Sequence, residues 1–212
     1  MIFYLTGFAI LEDRTPEKMH LIHMPADDMI PFCEFFIIPY ILWFFYITAV
    51  IVYFAFYNKN VREYWQLILT LAIGMTLFLI VSWFYPNGHD LRPVVFERDN
   101  IFVDMVKQLY KTDTSTNILP SIHVYNSVAV YIAVKKCRAL EKNNAVQYGS
   151  LILSVLIVLS TMFLKQHSIL DVLLALLLNG VVYGIIYVAY ETTSMNKNVK
   201  VKRERVRYKQ FQ

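Results

Sequence analysis

Two histidines and a small set of charged side chains hold most of the chemistry available to this chain of 212 residues. His167 and Asp171 stand four apart, so on a continuing helix they share a face. A carboxylate that accepts one imidazole N–H fixes the tautomer and leaves the other ring nitrogen as a nucleophile. His123 closes the run Pro120-Ser121-Ile122-His123 and is suited to protonating a leaving oxygen, because imidazole titrates near neutrality. Arg92 and Lys165 supply positive charge and Ser121 a hydroxyl donor. Phosphoryl oxygens need such groups as charge builds in an in-line transfer. Nucleophile, acid, orienter and anion clamp together fit phosphoryl transfer through a phosphohistidine.

Each fragment also has a plainer reading. Pro120 is a favoured first-turn residue of a helix, which would make Ser121 and His123 incidental. His167 and Asp171 also suit a structural i,i+4 pair or half of a metal site. His89, Asp90, His123, His167 and Asp171 contain enough ligands for zinc, so composition leaves metal-assisted hydrolysis open. His20 and His23 read as solvated loop residues, and Asp27 with Asp28 as added negative charge in the same loop. Trp65, Trp83, Tyr85 and Tyr190 read as interface anchors.

The elements that must position these groups are set by composition. Apolar residues make up 57% of the chain and charged residues 17%, with a mean hydropathy of +0.45. A soluble domain carries about a quarter charged residues, and disordered segments are poor in apolar ones. With only Cys33 and Cys137, a disulfide scaffold is excluded as well. The chain reads as a single integral membrane domain over 1–212, all-α and polytopic.

A span needs about 20 apolar residues. Segments 35–57, 67–85, 145–164 and 169–190 qualify, and 124–134 qualifies when extended back through 118–120. Residues 1–11 reach about 17 Å as a helix and are expected to form a sixth, incomplete span. Basic residues divide unevenly between the two ends of such a bundle. Thirteen, including Lys59, Arg62, Lys135, Lys136, Arg138, Lys142 and the seven in 195–212, share one side, against seven on the other. The richer side is expected to be cytoplasmic, placing the reactive groups outside. The tail is expected to meet anionic lipid headgroups rather than nucleic acid.

The reactive motifs fall in a recognisable order. Arg92-Pro93, Pro120-Ser121-Ile122-His123 and Ser160-Thr161-x5-His167-x3-Asp171 resemble the signature of the type 2 phosphatidic acid phosphatase (PAP2) superfamily. That signature reads Lys-x6-Arg-Pro, Pro-Ser-x-His and Ser-Arg-x5-His-x3-Asp. The resemblance covers about residues 65–190. It departs where the motif-one lysine falls at Tyr85 and the motif-three arginine at Thr161. Lys165, four residues after Thr161, would emerge on nearly the same helix face, as a point charge without arginine's fork. Arg98, Lys107 and Lys111 are candidates for the other missing charge. The Lys165-Gln166-His167 form is similar to the branch of inositol phosphorylceramide synthase-like proteins.

The resemblance implies a haloperoxidase-like core of about six membrane helices in the plasma membrane, using no metal or cofactor. It implies a lipid phosphate substrate at the outer leaflet. His167 attacks phosphorus, Asp171 orients it, and His123 protonates the departing alkoxide and later activates water. Arg92, Ser121 and Lys165 hold the phosphoryl oxygens. A phosphotransferase with the same intermediate is the nearest alternative, and a non-catalytic family member the next.

Overall fold

The computed structural model describes residues 2–12, 14 and 18–189; the basic tail 195–212, with its expected headgroup contact, lies outside the described residues. Seven α-helices carry the fold: α1 (Ile2–Glu12), α2 (Ile37–Val52), α3 (Val61–Phe84), α4 (Ile101–Thr112), α5 (Ile122–Lys136), α6 (Asn144–Phe163) and α7 (Ile169–Tyr183). π-helical turns extend α2 over Tyr53–Tyr57 and α7 over Gly184–Ala189. Among the described residues four helices are long and apolar enough to cross a membrane: Glu34–Tyr57, Val61–Phe84, Asn144–Phe163 and Ile169–Ala189.

Helix starts follow local chemistry. Asn60, Asn100, Ser121, Asn143 and Ser168 each cap the next helix, accepting from backbone N–H groups that have no partner inside it. The Ser121 cap corrects one expected boundary: 118–120 is not helical, and α5 begins at Ile122. Likewise α3 begins at Val61 rather than 67, because Asn60 caps it through the polar stretch. The segment 101–112, between the expected spans, is helix α4.

With 15 residues, α5 spans about 22 Å, yet it holds the centre of the bundle, against α2, α3, α6 and α7. It is buried almost all round, at Val124, Tyr125, Asn126, Ser127, Ala129, Val130, Ala133 and Val134. Gly74 of α3 permits its close approach: a Cβ there would lie 1.9 Å from the Tyr125 ring. Tyr125 Oη donates to the Thr70 carbonyl at 2.8 Å, and Asn179 Nδ2 to the Tyr125 carbonyl at 3.0 Å. Tyr46 and Ser150 join α2 to α6 at 2.6 Å. Such bonds and close packing are what associate helices in lipid, where apolar burial gives no net drive. The perimeter is apolar instead: Phe45, Ile152, Leu177 and Ile185 are exposed.

At one end of the bundle the connecting loops are tied together. His20–Leu21 pairs in parallel with Asn87–Gly88 (β1 and β2). Buried Asn87 accepts from the Ile118 and Leu119 amides at 2.9 and 3.0 Å and donates to the Tyr85 carbonyl at 2.7 Å. Beside them α4 packs against the start of α2, where Val106 joins Ile37, Tyr40 and Leu164.

Candidate active site

The site is built on the N-terminus of α7. Ser168 caps it, with its hydroxyl accepting from Leu170 N at 3.2 Å. Asp171, three residues on, returns Oδ2 to Ser168 N at 2.9 Å, closing a capping box. The same oxygen lies 3.3 Å from His167 Nδ1. The pair therefore meets across a helix start, with His167 outside the helix, and not along the helix face expected from the spacing. Asp171 is fully buried and its Oδ1 has no hydrogen-bond partner. A carboxylate there, at the positive end of the helix, holds His167 with Nε2 as the nitrogen left for chemistry.

Asp27 completes this cap from far away in the chain. Its Oδ1 accepts from Ile169 N at 2.8 Å and its Oδ2 from Ser168 Oγ at 2.6 Å and Met24 N at 2.8 Å. Burial pushes the Asp27 carboxyl up, but those hydrogen bonds and the nearby His23 charge overcome it and hold it below its ordinary value. Far from being loop charge, Asp27 is 2% exposed and fixes where α7 begins. Only the Asp27-Asp28 pair hinted at it in the sequence.

His167 and His123 line one cavity of about 290 Å³, with Trp43, Asp113, Asn117, Gln166 and the α1 side chains Tyr4 and Phe8. Their ring centroids are 5.8 Å apart. His123 is set by packing, its ring 4.6 Å from Tyr40 and 4.3 Å from Trp43. Tyr40 Oη donates to Asp113 at 2.6 Å. Behind the wall, Arg92 donates to the carbonyls of Tyr110 at 3.1 Å and Asp113 at 2.6 Å, stacks over the Tyr110 ring, and donates to Gln166 Oε1. Tyr40, Trp43 and Asp113 escaped the sequence reading, and Gln166 entered it only as part of the Lys165-Gln166-His167 form, with no role of its own.

Other residues lie further out. Ser121, fully buried, accepts from Val124 N at 3.4 Å through its hydroxyl, and its own N–H approaches the Asp171 carbonyl at 3.5 Å. Lys165 follows the end of α6 with φ 52°, so the helical i+4 relation to Thr161 does not apply. Its Nζ donates to the Asp27 carbonyl at 2.6 Å; burial lowers its pKa against the opposing pull of Asp27 and Asp28. Thr161 is buried, and its carbonyl receives the Gln166 and His167 amides at 2.9 and 3.1 Å, closing the turn that presents both side chains. Tyr85 stacks on His20 at 4.1 Å. Arg98 pairs with buried Glu34 and Lys107 with Asp104. Among the described residues the cavity wall holds no Lys or Arg side chain. No three His, Cys, Asp or Glu side chains among them gather as ligands for one metal ion; Asp90 instead faces His23 at 3.7 Å.

A helical bundle with membrane-length spans, holding a His–Asp pair opposite a second histidine, defines a class that the family comparison names. Residues 63–195 match the PAP2 superfamily, and the chain belongs to it. No curated protein and no solved structure matches the chain. Membership gives the coarse function, a membrane phosphatase or phosphotransferase.

Proposed function

We propose that the protein is a phosphatase that releases phosphate from a lipid phosphate monoester or diphosphate at the extracytoplasmic face. The observation that carries this is the His167–Asp171 pair placed 5.8 Å, ring to ring, from His123 across a cavity. His167 Nε2 attacks phosphorus, the bond to the lipid oxygen breaks, and His123 gives that oxygen its proton. Water then attacks the phosphohistidine with His123 as base, freeing phosphate and restoring both histidines. Asp171 stabilises the His167 cation in both steps. Arg92, Ser121 and Lys165 supply the polar frame behind the phosphoryl oxygens. The lipid chain lies along the apolar wall formed by Tyr4, Phe8 and Phe78. The Lys165-Gln166-His167 form supports a place near the inositol phosphorylceramide synthase-like branch, which contains transferases, with an alcohol as acceptor, as well as hydrolases.

Phosphate release from phosphatidic acid and polyprenyl diphosphate, by full-length protein in detergent with EDTA present, tests this reading. Turnover is expected to persist in EDTA and to fall at least about 10³-fold in His167→Ala. Release that survives the substitution removes His167 as nucleophile. Phosphate found only on an added alcohol makes the protein a transferase.

A further inference from the structure

The cavity wall contains polar atoms that nothing in the protein satisfies. Gln166 is 3% exposed and lines the cavity beside both histidines. A guanidinium has no acceptor, so its hydrogen bond to Gln166 must be received by Oε1, which fixes the amide's orientation. The NH₂ end is thereby turned away from Arg92, and Nε2 is buried without a partner. Trp43 Nε1 is in the same condition in the same wall, as is His123 Nδ1. Buried donors without partners are rare in folded proteins and call for an explanation. Here they surround a cavity of about 290 Å³, next to the proposed nucleophile.

We propose that Gln166 Nε2 and Trp43 Nε1 hold the phosphoryl oxygens, and that Arg92 acts through Gln166 instead of touching the substrate. This rests on the phosphoryl-transfer reading above. Arg92 is then a positioning residue: its contacts with Tyr110, Asp113 and Gln166 aim the amide and polarise its N–H bonds through the shared network. Neutral donors thus take the oxygens in a wall that, among the described residues, holds no Lys or Arg side chain, with Lys165 turned to Asp27. Preorganised neutral donors suffice for such work when they are held in place before the charge develops.

The experiment uses full-length protein in detergent and two probes: phosphatidic acid in mixed micelles for turnover, and orthovanadate, a mimic of pentacoordinate phosphorus, for binding by calorimetry. Gln166→Leu is expected to lower kcat about 10²–10³-fold, the loss typical of one oxyanion donor. KM and the thermal midpoint are expected to hold, while vanadate binding weakens by a comparable factor. Gln166→Glu keeps the acceptor for Arg92 but loses the donor, and is expected to fail likewise; it serves if the leucine variant does not fold. Arg92→Gln is expected to add little on the Gln166→Leu background, because residues acting as one unit are not additive. Wild-type kcat and vanadate affinity in Gln166→Leu overturn the proposal, as do multiplicative losses in the double variant. Protein that binds vanadate in a Gln166-dependent way but releases no phosphate upholds the donor assignment and removes the phosphatase reading. Turnover indifferent to Gln166 does the reverse, and wild-type protein that binds no vanadate overturns the donor assignment.

Discussion

His89 lies beside the reacting pair without joining it. It is buried, and its Nδ1 accepts from Leu91 N at 3.2 Å. Burial, with the neighbouring His167 and Arg92 charges, lowers its pKa to about 4. The unfolded chain takes up this proton near pH 6.5, and the folded one only near 4. Stability from this residue is therefore complete above about pH 6.5 and is lost as pH falls toward 4. Thermal midpoints measured across that interval are expected to decline, and the decline to flatten in His89→Gln. A slope unchanged by the substitution assigns it to another group. His167 and Asp171 were legible as residues that belong together, since spacing four is readable. Which oxygen meets which nitrogen was not, because a capping box, not a helix face, joins them.

At the scale of elements, the start of α7 governs the site, and it is held by a carboxylate on the turn Pro25–Met29. Asp27→Ala removes three hydrogen bonds and leaves the Ser168 hydroxyl without its acceptor. An expected cost of about 2–4 kcal/mol in unfolding free energy follows from the lost cap and the orphaned groups. Phosphate release is expected to fall more than stability alone explains, because His167 loses its fixed approach. Unfolding measured beside initial rates checks both, and full activity in a destabilised variant would separate the cap from the chemistry. This dependence was hidden in the sequence. Asp27 and Ser168 are 141 residues apart, and no local pattern reports a contact of that range. Long apolar runs, by contrast, announced the four membrane-length helices directly. Helix α4 was missed although its signal was present: Asn100 caps it, and Phe102, Val103, Val106, Leu109 and Tyr110 recur at helical spacing on the side packed inward. The placement of Lys165 failed for a definite reason, since α6 stops at Phe163 and the backbone at Lys165 turns left-handed.

For the whole molecule, the charge asymmetry between the two ends becomes a prediction of orientation. Lys59, Arg62, Lys135, Lys136, Arg138 and Lys142 lie at the end of the bundle away from the cavity. Positive residues in short loops stay in the cytoplasm. In intact cells carrying a Cys33→Ser background, a membrane-impermeant maleimide is expected to label Val94→Cys, which is 96% exposed at the cavity end. It is expected to reach Lys142→Cys only after permeabilisation. The opposite pattern turns the site inward. The matched segment 63–195 also lacks Asp27, Tyr40, Trp43 and all of α1. The family's chemistry in this protein therefore depends on walls and a cap supplied by the preceding stretch.

That dependence sets an order of assembly. Synthesis delivers Asp27 long before Ser168 and His167 exist, so the carboxylate waits on its side of the bilayer for the last helix to insert. Until α7 arrives, Asp27 has lost its Ile169 and Ser168 donors and the cavity lacks its His167 wall. On the proposed mechanism a half-made chain thus carries no competent nucleophile, because the His167–Asp171 pair forms only once α7 is in place.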